Sequence, residues 1–88
     1  GTSYWLEPAP TDNTRATITV RVYVLNVRNA PSIRADILMR IRVGEVYSIV
    51  GRLADNSWVQ INVNGTIGWV NAGYVNTANL NTVPVIAQ

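Results

Sequence analysis

Apolar and polar residues alternate over residues 17–24. Ile18, Val20, Val22 and Val24 fall on one face, and Thr17, Thr19, Arg21 and Tyr23 on the other. A period of two puts successive side chains on opposite sides of an extended backbone, the pattern of a half-buried β-strand. Leu25 and Val27 continue the apolar series with the opposite parity. A one-residue change of face needs a bulge or bend near Val24–Leu25. Asn29-Ala30-Pro31-Ser32 reads as a turn, and residues 33–36 have room for one helical turn. A second strand is expected over 37–43, with Ile37, Met39, Ile41 and Val43 on one face, and Gly44 breaks it. A third follows over 45–53, a loop over 54–56, and a fourth strand over 58–63.

Asn64-Gly65 is the strongest turn signal, because a type I′ hairpin needs positive φ at both central residues. Asn64-Gly65-Thr66 also matches a glycosylation acceptor, but the hairpin accounts for it. A fifth strand is expected over 66–70 and a 3₁₀ turn over 71–74. Residues 1–15 and 77–88 read as tails or linkers around a domain at 16–76. Both tails hold apolar residues: Tyr4, Trp5 and Leu6 in the first, Val83-Pro84-Val85-Ile86 in the second. The second is apolar enough to add an edge strand, with Pro84 confined to the edge. Either tail is expected to pack on the domain or to swap onto a second copy as a homodimer. The fold class is all-β: a small barrel of five or six short strands with one 3₁₀ turn.

Composition narrows the chemistry. The 88 residues contain no Cys and no His, which removes thiol and imidazole nucleophiles and zinc sites built from them. Glu7, Asp12, Asp36, Glu45 and Asp55 show no spacing that pairs two carboxylates for glycoside hydrolysis. No catalytic residue, metal site or cofactor is expected. All seven basic residues are Arg, and they are dispersed; a net charge of +2 is too small to argue for nucleic acid. No window reaches the roughly 18 apolar residues of a membrane span. No secretory hydrophobic region follows Gly1, so any targeting signal is expected to have been cut off or to lie elsewhere in a longer parent.

The candidate chemistry is aromatic. Val59, Ile61 and Val63 form the apolar register of the fourth strand, so Trp58, sharing parity with Gln60 and Asn62, should point outward. An outward Trp offers large contact area and an N–H, which suits recognition; cover by a linker is the other reading. Trp69, which shares parity with Ile67, reads as core. Tyr23 lies on the polar face of the first strand and can flank a groove, while the face of Tyr47 is open. Arg28 can fork onto a ligand carboxylate, pair with Asp36 or Asp55, or bind a loop carbonyl.

Leu25-Asn26-Val27-Arg28 with its proline turn, Gly44, Trp58, and Gly68-Trp69-Val70 followed by Tyr74 together resemble the bacterial SH3-like (SH3b) family. Ala30 stands where the family's turn carries glycine; a positive φ there would strain it. The Gly-Trp-Val-x-x-x-Tyr ending also resembles the Gly-Tyr-x-Pro-x-x-Tyr ending of eukaryotic SH3 domains, whose last Tyr lines the peptide groove. Here Asn71 replaces the proline. The resemblance implies an SH3-like barrel and a non-catalytic module that sits in envelope or secreted proteins and binds peptidoglycan or extended peptides. It places Tyr74 in a groove with Trp58, and Tyr23, Arg28 and Tyr47 are further candidates. Implied partners are peptidoglycan or a peptide or protein ligand, and other domains of the parent chain. The alternative is a structural spacer or assembly module without a small ligand.

Overall fold

A computed structural model describes residues 15–86. Seven strands form one antiparallel sheet: β1 Thr17–Val20, β2 Val24–Arg28, β3 Ile37–Arg42, β4 Val46–Arg52, β5 Trp58–Val63, β6 Thr66–Asn71 and β7 Val75–Ala78. Short 3₁₀ turns span Ala72–Tyr74 and Leu80–Thr82. The fold is all-β, and among the described residues no helix is long and apolar enough to cross a membrane.

The strand order is β3-β2-β6-β5-β4-β1-β7, so β1 and β2 stand four positions apart. Laid flat, four strand spacings would separate them by roughly 19 Å. The chain from Val20 to Val24 can span at most about 14 Å. The sheet must therefore curl until β1 and β2 approach each other across its open side. Backbone bonds fix that corner. Gly44 N–H donates to Val20 O at 2.9 Å, Val20 N–H to Glu45 O at 2.9 Å, and Val43 N–H to Tyr23 O at 3.2 Å. Arg21 N–H donates to Tyr74 O at 3.0 Å.

The corner at residues 21–23 splits the long first strand expected from the alternation. With β7 paired to β1, this gives seven strands instead of five or six. It also moves the change of face. The alternation resets at the corner, before Val24, so Val24 already shares the outward parity of Asn26 and Arg28 and is exposed, and Val22 is half-buried. Ile37 and Val43 are exposed as well, against the expected apolar face. A register shift between Val27 and Arg28 sets Ile37 opposite Arg28, on the outer side, and Val43 lies in the turn beyond β3. Residues 32–35 form a hydrogen-bonded turn, with Ala35 N–H on Ser32 O at 3.1 Å, and 33–36 hold no helix. Ala30 is not among the residues with positive φ.

Two turns match their sequences. Asn64 and Gly65 have φ of 53° and 100°, as a type I′ hairpin requires, and Gly65 N–H donates to Asn62 Oδ1 at 2.7 Å. Gly44, at φ 86°, is the third residue of the turn that joins β3 to β4, closed by Glu45 N–H on Arg42 O at 3.1 Å.

The core is a layer of branched aliphatics: Ile18, Val20, Leu25, Val27, Ile41, Ile49, Val59, Ile61, Val63, Val70, Val75 and Val83, with Ala16. Trp69 is buried, at 4% exposure, but lies outside this cluster, while Ile67 is 44% exposed. On β6 the core-facing parity belongs to Gly68 and Val70, and Trp69 packs on the outer face. A Cβ on Gly68 would collide with Val27 Cγ1, so only glycine fits there.

The chain after β7 returns to the sheet. Val83 is buried, and Val85 bridges Arg52 in parallel. Arg52 holds this segment three ways: its N–H donates to Pro84 O at 3.2 Å, its Nε to Val83 O at 3.0 Å, and its carbonyl accepts from Ile86 N–H at 2.8 Å. Tyr4, Trp5 and Leu6 lie outside the described residues.

Candidate ligand groove

Facing residues in an antiparallel ladder share one side of the sheet. Trp58 faces Asn71, Gln60 faces Trp69, and Arg28 faces Trp69. These side chains therefore share the outer surface of β5, β6 and β2. Asn26 and Val24 precede Arg28 at even spacing and join that surface. A groove of about 300 Å³ opens here. It is lined by Val22 at the corner, by Val24, Leu25, Asn26 and Arg28 of β2, and by Ile33, Trp58, Asn71 and Tyr74.

Local bonds hold the two irregular segments that line it. Arg28 Nη1 donates to Ala35 O at 2.9 Å, which ties the guanidinium to the loop that carries Ile33. Asn29 N–H on Asp36 O, at 3.0 Å, closes the same loop. Asn71 Oδ1 accepts from Gly73 N–H at 2.8 Å, and Ala72 N–H donates to Ser57 O at 3.0 Å. With Arg21 Nη2 on Gly73 O, these bonds fix the 3₁₀ turn that presents Tyr74. Tyr74 is 49% exposed and Ile33 74% exposed, while Trp58 is half-buried. Asp55 accepts from Ser57 through both hydroxyl (2.7 Å) and N–H (3.0 Å), which shapes the turn that starts β5 at Trp58. Those two bonds, the hydroxyl foremost, hold the Asp55 carboxyl below the usual aspartate range.

Three of the five candidate residues, Trp58, Tyr74 and Arg28, meet in this groove. Tyr23, at 76% exposure, stands on the adjacent corner and does not line it. Tyr47 lies elsewhere: it packs half-buried against the core, and its hydroxyl donates to Glu45 Oε1 at 2.8 Å. Burial, and then the Glu45 carboxylate, push the Tyr47 hydroxyl up. Glu45 is lowered in turn, first by Arg42 N–H at 3.0 Å and then by Tyr47. Of the alternatives for Arg28, the loop carbonyl is the partner it has.

Sequence reasoning missed Val22, Val24, Leu25, Asn26, Ile33 and Asn71 as groove residues. The even spacing of Val24, Asn26 and Arg28 carries the signal for two of them once the corner is placed at 21–23. Asn71 follows from its register opposite Trp58. Ile33 sits in an irregular turn, where no periodicity exists to mark it.

The bacterial SH3 domain family model matches residues 24–76, from the start of β2 into β7. The chain belongs to the bacterial SH3 domain family. No curated protein matches the chain. Domains of this family are generally binding modules, commonly related to the cell wall.

Proposed function

We propose that this domain is a non-catalytic binding module of a larger cell-envelope or secreted protein, and that it holds peptidoglycan peptide or another extended peptide across Trp58. The observation that carries this reading is convergence. Trp58 from β5, Tyr74 from the 3₁₀ turn and Arg28 from β2 line one open groove. An aromatic concavity with a few polar groups is the usual form of a ligand site. A groove of this size supports micromolar to millimolar affinity, roughly −4 to −8 kcal/mol. Useful retention then comes from tethering to the other domains of the parent chain, which raises the effective concentration.

The test is an NMR titration with soluble peptidoglycan fragments. Shifts should cluster at the Trp58 indole, Tyr74 and Arg28, and Trp58→Ala should abolish them while the fold persists. A flat response across envelope peptides and glycans would leave a structural spacer as the function of the domain.

A further inference from the structure

We propose that the groove's ligand carries a carboxylate and that Arg28 receives it; this inference rests on the groove being the binding site. The polar side chains that line the groove are Asn26, Arg28, Trp58, Asn71 and Tyr74, and none is acidic. Each can donate. The Trp58 indole is a donor only, and neither it nor the Tyr74 hydroxyl has a partner among the described residues. The side-chain oxygen of Asn71 already accepts from Gly73. A groove rich in donors selects an acceptor-rich ligand.

Charge points the same way. Arg28 makes no ion pair within the described residues. Its one bond, to Ala35 O, orients the guanidinium and leaves its other N–H groups for a planar, two-oxygen partner. Arg40 faces Asn26 and Arg42 faces Val24 in the β2–β3 ladder, on the same side one strand away; of the two, the Arg42 charge also acts on the Glu45 carboxylate. Of the acidic side chains in the described residues, Glu45 is engaged by Arg42 N–H and Tyr47, and Asp55 by Ser57. Asp36 is exposed and does not line the groove. The positive potential over Arg28 is therefore left for a ligand. Of the seven arginines only Arg28 lines the groove, which fits one carboxylate rather than the repeated anions of a nucleic acid or polyphosphate. Trp58, Val24 and Ile33 beside it call for an aliphatic segment next to the charge.

Three peptides test this on the unaltered domain, all N-acetylated. The neutral one is Ala-Leu-Gln-Ala amide. The second, Ala-Leu-Glu-Ala amide, adds only a side-chain carboxylate; the third, Ala-Leu-Gln-Ala free acid, adds only a terminal one. NMR would follow the Arg28 Nε–H, the Trp58 indole N–H and Tyr74. At least one acid should bind about tenfold tighter than the neutral peptide and shift Arg28. The arm that gains identifies which kind of carboxylate is taken. That advantage should shrink with added salt and vanish in Arg28→Gln. Arg28→Gln also removes the bond to Ala35, but the peptide comparison needs no variant. Equal binding of all three peptides at Trp58 would overturn the carboxylate inference and leave the groove standing. Tighter binding of glycerol phosphate at Arg28 would overturn it too. Silence of Trp58 and Tyr74 toward every peptide and toward peptidoglycan fragments would overturn the binding-module reading itself.

Discussion

Ile86 occupies the space that a side chain on Gly51 would need. An added Cβ at Gly51 would collide with Ile86 Cδ1 and stand 3.2 Å from Gln60 Oε1. Gly51 lies in β4 at a register shift between Ile49 and Gly51, next to Arg52, which holds the returning chain by three bonds. The missing side chain is thus the seat of the C-terminal segment.

Gly51→Ala should destabilise the domain by about 1 kcal/mol, the low end of the cost of forcing atoms into a packed site, because the nearest atoms it meets are the tip of the Ile86 side chain. Ile86→Ala in the same chain should recover part of that loss, because the two changes share one contact. Urea unfolding of the single and double variants gives the coupling. Strictly additive effects would mean that Ile86 does not sit on Gly51 in solution.

Trp69 and Ile67 should respond very differently to truncation, although they share parity on β6. Trp69 is buried and Ile67 is largely open. Trp69→Ala should cost about 3–5 kcal/mol, the range for emptying a large aromatic site. That is a major share of the stability of a small domain. Ile67→Ala should stay within about 1 kcal/mol. Thermal melts of the two variants that coincide within a degree or two would argue against this burial.

Stability should fall at both ends of the pH range. Asp55 and Glu45 have folded-state values below their ordinary 3.8 and 4.5. A lowered carboxylate stabilises the fold above its unfolded value, and the contribution disappears as pH falls through the folded value. The Tyr47 hydroxyl is raised above 10.0, so its contribution is present below that value and is lost as pH rises through the folded one. Asp55→Asn should flatten the acid limb of a urea-midpoint profile. Glu45→Gln should flatten the acid limb and soften the alkaline limb, since it removes the carboxylate charge, one of the three causes that raise Tyr47, while its amide oxygen can still accept the Tyr47 hydrogen bond. An acid limb unchanged in both variants would show that these hydrogen bonds do not persist in solution.

The sequence was most legible where one strand faces the core and its turn is closed by its own residues. Val59, Ile61 and Val63 are all buried as their alternation implied, and Asn64-Gly65 adopts the positive φ that the pair favours. The break after Val20 was not legible, because the residues that impose it, Val43 to Glu45 and Tyr74, are distant in sequence. The side taken by Trp69 was hidden for another reason. The core position on β6 belongs to a glycine, whose lack of a side chain makes it invisible to a hydrophobic pattern, although Val27 fills its space. In the groove, Trp58 was visible from parity and Tyr74 from the family ending. Asn26 and Ile33 become neighbours of Trp58 only because β2 lies beside β6, a long-range pairing.

Trp58 and Tyr74 should separate binding from stability. Trp58 is half-buried and Tyr74 half-exposed, and both belong to the groove rather than the core cluster. Trp58→Ala should lose most of the affinity for soluble peptidoglycan fragments or acidic peptides, as truncating an aromatic anchor at the centre of a site usually does, by about 2 kcal/mol or more. Tyr74→Phe keeps the ring and removes the hydroxyl, so it should weaken binding only where the ligand accepts that hydrogen bond, by about 0.5–1.5 kcal/mol. Both variants should unfold within about 1 kcal/mol of the parent, since neither side chain fills the core. Combining Trp58→Ala with Tyr74→Ala should cost less affinity than the sum of the two, because both aromatics contact one ligand segment across the same groove. Calorimetric or NMR titration of the parent, the three single variants and the double variant measures this. Parent affinity retained in Trp58→Ala, alongside an intact fold, would move the ligand to another face of the domain.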